Sequence, residues 1–247
     1  MKKLPGFFAI LKMKGWLLLC SCFFLISCLK NKDTTANGPK ARITVGNYVV
    51  NSAAFNILYD AGALTTAPLA YGKSFDSGYI PVGAGIHNLT ITSGTDVIAS
   101  NSISVQTGIS YSLFLYDTLK NKTVKAWLVE DIMVAVDTVA KARFLQFIPL
   151  PANDSLTFRL TNNLRGYEII DAFVGNKSAP GNGSDFFANL QPGTYQVQLL
   201  RKNLPVPVIY TLPSYTVERG RLYTFIAKGT VNGTGEYAIG LNVVKNN

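Results

Sequence analysis

The chain has 247 residues, 48% hydrophobic and 15% charged, enough to bury one large core or two cores of about 100 residues each. Its formal charge of +9 includes Lys2, Lys3, Lys12 and Lys14; beyond residue 27 the chain carries 19 basic against 14 acidic side chains, a net +5 over 220 residues. The remaining Lys and Arg are scattered, which argues against nucleic-acid binding because that needs a concentrated positive surface.

The first predicted element is a leader. The four N-terminal lysines precede an apolar run from Trp16 to Ile26, the length of a signal-peptide core and short for a membrane span. The run closes on Leu25-Ile26-Ser27-Cys28. This resembles the bacterial lipobox, and the resemblance implies lipid attachment at Cys28 with residues 1–27 removed as a lipoprotein signal peptide. Cys20 and Cys22 are poorer fits, and an uncleaved signal anchor is the alternative. Acyl chains at about 0.8 kcal/mol per buried CH₂ make a firm anchor to membrane lipid. No cysteine follows Cys28, so a disulfide framework and a Cys-based metal site are not expected. Residues 28–40 are polar with Asn37-Gly38-Pro39 near the end and read as a flexible tether.

The rest of the chain repeats itself. Lys40-Ala41-Arg42-Ile43 matches Lys141-Ala142-Arg143-Phe144, and Phe55, Ile57 and Tyr59 fall on Leu156, Phe158 and Leu160. Gly85-Ile86-His87-Asn88-Leu89 matches Gly193-Thr194-Tyr195-Gln196-Val197, Val105-Gln106-Thr107-Gly108 matches Val217-Glu218-Arg219-Gly220, and Tyr111-Ser112 matches Tyr223-Thr224. The growing offset implies two insertions in the second copy, at Gly175–Asp185 and around Leu204–Pro213. Matching positions alternate apolar and polar as half-buried strands do, with Gly or Pro-Gly before them. Short strands at regular spacing predict sandwiches, one over 41–133 and one over 141–247, joined by Val134–Ala140.

The opening A-R-hydrophobic strand, F-N-I-L-Y-D, Y-I-P-V-G-A-G-I-H-N-L-T-I and V-Q-T-G-I-S-Y-S-L-F-L resemble the DUF4397 family. The second copy keeps K-A-R-F-L-Q-F, L-Q-P-G-T-Y-Q-V-Q-L and V-E-R-G-R-L-Y-T-F, departing from the pattern between Thr161 and Asp185. The resemblance implies an all-β fold of two tandem immunoglobulin-like or transthyretin-like β-sandwich domains, in a family often secreted or lipid-anchored and frequent in Bacteroidota. It carries over no catalytic residue.

Chemistry-bearing residues are sparse. The single histidine, His87, aligns with Tyr195 on an inward face beside Leu89 and Ile91, and nothing in the sequence supplies it with a nucleophile. Glu130-Asp131 are the only adjacent acids and read as a solvated strand end. No catalytic residue, metal ligand set or cofactor loop is expected. Trp127 aligns with Ile239 and is expected in the first core; Tyr71, Tyr79, Tyr167 and Tyr215 are looser candidates for a contact surface. Thr34, Thr118, Thr138 and Ser155 each follow an Asp and resemble the D-[ST] O-glycosylation motif of Bacteroidota; the competing reading is turn chemistry before a strand. The inserted loop offers Asn176, Ser178, Asn182 and Ser184, with Phe186 and Phe187 at its base, as candidate binding residues.

The expectation is a non-catalytic protein of the cell envelope, held at the outer membrane by Cys28, that binds or scaffolds a glycan or protein partner. Alternatives are a fimbria-like assembly subunit, with Arg42-Ile43 as a weak cleavage site, and a glycan hydrolase whose two acids would flank a cleft between the domains.

Overall fold

The computed structural model describes residues 40–74, 78–120, 123–131, 138–162, 168–175, 187–205 and 207–246. Cys28, the tether, and the loop positions Asn176, Ser178, Asn182, Ser184 and Phe186 lie outside them, as does Tyr167. Within the described residues the chain is all-β. The first half contributes β1 (Lys40–Val50), β2 (Asn56–Tyr59), β3 (Gly62–Ala63), β4 (Lys73–Ser74), β5 (Ile80–Gly83), β6 (Gly85–Ser93), β7 (Asp96–Val105), β8 (Ser110–Lys120) and β9 (Thr123–Asp131). The second contributes β10 (Ala140–Gln146), β11 (Leu156–Asn162), β12 (Glu168–Gly175), β13 (Ala188–Leu190), β14 (Gly193–Arg201), β15 (Val208–Val217), β16 (Leu222–Lys228) and β17 (Gly240–Lys245).

These strands form four sheets, two per half. In the first half the order β4-β1-β8-β9, with β5 also on β1, faces the order β3-β2-β6-β7. In the second, β13-β10-β16-β17 faces β12-β11-β14-β15. Each half encloses its own core. Ile43, Val45, Ile57, Leu89, Ile91 and Leu113 meet in one, and Phe158, Tyr195, Val197, Leu199, Tyr223 and Phe225 meet in the other. β1 pairs in parallel with β8, and β10 pairs in parallel with β16. The registers differ by two residues: Ile43 sits opposite Tyr111, whereas its sequence counterpart Phe144 sits opposite Phe225 and not Tyr223.

Burial patterns explain where each sheet lies. β11 and β14 alternate buried and half-buried residues, as strands with one wet face do. By contrast β1 is buried from Ile43 to Val50, and β16 from Leu222 to Ala227. Strands buried on both faces need a second layer beyond the sandwich core. That layer is the other half: Tyr48, Phe114, Tyr116, Trp127 and Val129 pack with Leu145, Phe147 and Ile226 in a third apolar cluster. Phe147 is its hub, with ring centroids 5.4 Å from Tyr48, 5.6 Å from Phe114, 5.3 Å from Tyr116 and 6.5 Å from Trp127. The described residues accordingly fall in a single compact unit, Pro39–Asn247.

This third cluster corrects the placement of Trp127. The residue is buried, but in the junction rather than in the first core, because Ala126 and Leu128 are the β9 residues that face inward. Trp127 pairs with Phe114 as Asn242 pairs with Ile226, so its counterpart is Asn242 and not Ile239. The second insertion also narrows: β14 ends at Arg201 and β15 starts at Val208, so the added residues form that connection. Pro213 stands within β15, an edge strand, where a missing donor is tolerated.

Candidate functional site

The junction holds a buried polar network beside its aromatic cluster. Arg143 on β10 is 0% exposed and pairs at 2.8 Å with the Oδ1 of Asp131 at the end of β9, whose side chain is also fully buried. The other carboxylate oxygen of Asp131 accepts hydrogen bonds from Tyr79 and Ser112, both at 2.7 Å. Arg143 Nη2 also donates to Thr224 at 3.0 Å, and Thr224 donates to Asn246 Oδ1 at 2.8 Å. Asn246 closes the circuit by donating to Tyr79 at 3.1 Å. Asp131, Ser112 and Tyr79 come from the first half, and Arg143, Thr224 and Asn246 from the second. The guanidinium is sandwiched between rings, 5.6 Å from the centroid of Phe114 and 4.6 Å from that of Phe187. Burial, and then the Asp131 carboxylate, push the Tyr79 phenol well above its ordinary value, so Tyr79 stays a neutral donor.

One sequence expectation changes here. Asp131 is not a solvated strand end: Glu130 is exposed, but the pleat turns Asp131 into the junction. Arg143 and Arg42 occupy matching positions, yet Arg42 is exposed and Arg143 is wholly buried. The pairing differs between the copies: Arg143 sits opposite Thr224, the counterpart of Ser112, whereas Arg42 sits opposite Ser110.

Alongside the network runs a cleft of about 490 Å³ lined by Thr44, Gly72–Ser74, Gly78, Tyr79 and Leu241–Asn246. One wall is β4 with Gly78 and Tyr79, and the other is β17. The two walls touch at both ends, where the Asn242 side chain donates to the Gly72 carbonyl and Asn246 donates to Tyr79. Tyr48, buried beneath, shares a 3.0 Å hydrogen bond with Ser74; burial raises its phenol against the lowering effect of Ser74 and Asn242. Gly46 leaves room for that ring, since a Cβ there would stand 2.7 Å from it. Tyr71 is buried as well, its oxygen accepting the Gly229 N–H at 2.7 Å and its ring lying 4.7 Å from Tyr237. Burial pushes its phenol up to about 12. It is therefore a junction residue and not an exposed contact. Tyr215 is half-buried, its ring 5.6 Å from Phe225, on the margin of the second core.

His87 sits at the rim of the first core. Its ring stacks 4.5 Å from Tyr59, and its Nδ1 lies 2.8 Å from Asp60 Oδ2. The other Asp60 oxygen accepts the Asn88 N–H at 2.9 Å. Those two contacts hold the Asp60 carboxyl below its usual range, the backbone bond most strongly. The free ring nitrogen, Nε2, is buried and faces the backbone near Gly83 and Gly85, so the pair is a histidine held by a carboxylate with its second nitrogen shut from solvent. Among the described residues no three His, Cys, Asp or Glu side chains converge on one point.

The remaining sequence candidates scatter. Thr118 is half-buried on β8 and its N–H donates to Asp117 at 2.9 Å. Thr138 is exposed in a turn. Ser155 is buried, and its N–H donates at 2.8 Å to Asp154, which Arg201 also binds. At both Asp117, within β8, and Asp154, just before β11, the carboxylate accepts the N–H of the residue that follows it. Phe187 alone of the loop residues is described, and it lies on Arg143. The cleft residues Lys73, Ser74, Asn242 and Asn246 were not singled out in sequence, because only the packing of the two halves brings them together.

No curated protein matches this chain. Three solved structures similar to it come from Bacteroides. A leucine-rich repeat protein of Bacteroides thetaiotaomicron is 14% identical over 78% of this chain, with a TM-score of 0.21; the match spans only 26% of that protein. A candidate cell adhesion protein of Bacteroides eggerthii is 12% identical over 84% of this chain and 96% of its own, with a TM-score of 0.24. A DUF3823 family protein of Bacteroides ovatus is 11% identical over 72% and 98%, with a TM-score of 0.20. Residues 41–154 match the family described as Domain of unknown function (DUF4397).

Proposed function

We propose that this chain is a non-enzymatic lipoprotein of the cell envelope, anchored in the outer membrane through Cys28. Its two tandem immunoglobulin-like sandwiches, residues 41–133 and 141–247, act as one binding or scaffolding module for a glycan or protein partner. The observation that carries the reading is the junction. The buried Arg143–Asp131 pair and the ring cluster around Phe147 fix the two halves against each other, and a polar cleft opens along their contact. A fixed cleft lined by side chains of both halves loses little ordering entropy when a partner enters. Thr34, Thr118 and Thr138 are the positions where added glycan fits this reading; the Ser155 side chain is buried. The fimbrial alternative is less well supported. Arg42-Ile43 lies inside β1, a central strand paired with β5 on one side and β8 on the other, so strand exchange would have to extract a core strand.

The test uses the full chain in a host with lipoprotein processing. The wild type should take up labelled fatty acid and retain a component of an envelope extract. Cys28→Ala should lose the label and keep the retention. Lys73→Glu should keep the label and lose the retention. Labelling of Cys28→Ala would overturn the anchor, and cleavage of the retained glycan would overturn the non-enzymatic reading.

A further inference from the structure

The wall formed by β17 has a property that its neighbours lack. Six consecutive residues, Leu241–Asn246, line the cleft. Successive side chains of a pleated strand point to opposite faces, so a cleft lined by consecutive residues runs along the strand's edge. Among the described residues β17 is the last strand of its sheet and pairs only with β16. The phase of that pairing is fixed by the Asn246 N–H, which donates to the Leu222 carbonyl at 2.8 Å. Val244, Asn242 and Gly240, opposite Thr224, Ile226 and Lys228, share the phase. Main-chain groups alternate direction along an antiparallel strand, so those of Leu241, Val243 and Lys245 point away from β16, toward the cleft. Of the side chains on this strand, Val244 packs into the junction and Leu241 and Val243 pack toward the second core, while Asn242 and Asn246 cross to Gly72 and Tyr79 and bound the slot.

The charge around the slot has one sign in excess. Lys73 and Lys245 are in its lining, and no described lining residue is acidic. Lys228 reaches the Gly72 end, where a Cβ on Gly72 would stand 3.1 Å from its Nζ. Against these, Glu218 is shared between Lys245 at 2.8 Å and Arg221 at 3.5 Å, and Glu236 lies near Lys228.

We propose that the free edge of β17 is a strand-addition site, and that its occupant is a short extended acidic peptide segment of a partner protein. The edge supplies N–H and C=O groups at alternate residues, the pairing on which strand addition depends. Lys73 and the Lys245 cluster favour carboxylates on the incoming strand, and the far wall at Ser74 and Tyr79 limits it to a single added strand. The proposal rests on the reading of the chain as a binding module and specifies where that module binds.

The test pans a random heptapeptide library against the immobilised full chain. Acidic sequences should be enriched, and their affinity should fall as salt is raised. Val243→Pro removes one outward N–H and leaves the β16 pairing in place, so it should weaken the selected peptide by about tenfold or more. Val243→Ala, which keeps the N–H, should bind like the wild type. Lys73→Glu, which touches no core residue, should weaken acidic peptides selectively, and it stands as the test if Val243→Pro does not fold. The proposal is overturned by enrichment that ignores charge, by equal affinity in Lys73→Glu, or by a preference for acidic oligosaccharides over every peptide. Retention of an envelope component that is unaffected by Val243→Pro would overturn this site while leaving the binding-module reading intact.

Discussion

At the residue scale, the Arg143–Asp131 pair is the most consequential contact in the molecule. Both side chains are fully buried, and a charge left alone in such a place is costly. Arg143→Met or Asp131→Leu alone should each destabilise the protein by about 3–5 kcal/mol, while the double substitution should recover most of that loss. Urea denaturation of the four proteins measures this as a double-mutant cycle. Additive losses would mean that the two charges do not depend on each other. A second ion pair sets a pH dependence. Burial acts to raise the Asp154 carboxyl, but the Arg201 guanidinium and the Ser155 N–H outweigh it and hold it below the usual 3.8. A folded-state value below the unfolded one adds stability that is present above the unfolded value and is lost as pH falls through the folded one. Asp154→Asn should therefore lose stability at neutral pH and show a flatter decline between about pH 4 and pH 2 than the wild type. Parallel declines would detach Asp154 from the acid limb.

At the scale of elements, the alternation of Phe55-Ile57-Tyr59 and of Tyr195-Val197-Leu199 was legible because one face of each strand meets a core and the other meets water. The strands that were misread are those with two buried faces. In β9, Ala126 and Leu128 face the first core while Trp127 and Val129 face the other half, and an aromatic residue looks equally at home on either side. Asp131 was read as solvated for the same reason: a carboxylate at a strand end usually is, and its buried partner Arg143 belongs to the next strand, β10, in the other half. The turn glycines were legible because Gly85, Gly108, Gly193 and Gly220 have positive φ, a conformation that marks itself in composition. The cleft was not, since no periodicity encodes which sheet edges of two halves will lie side by side.

At the scale of the whole molecule, two separate cores argue for independent folding and one shared junction argues for mutual dependence. Each half holds a closed set of buried residues, so fragments 41–135 and 140–247 should each fold with β-type circular dichroism. Parting them exposes Tyr48, Phe114, Trp127, Phe147 and Ile226 to water. Each fragment should therefore unfold at lower urea than the intact chain, which should unfold in one transition. Trp127 reports directly on the contact, because Phe147 covers it from the other half and the only other tryptophan of the chain is Trp16. Its emission should be red-shifted in fragment 41–135 and return toward that of the intact chain when fragment 140–247 is added. Adding an Arg143→Met fragment should restore less of the shift, since Asp131 would then be buried without its partner. If neither fragment folds, the two repeats make one domain rather than two. If the emission of 41–135 already equals that of the intact chain, the halves do not depend on each other for the shape of the cleft.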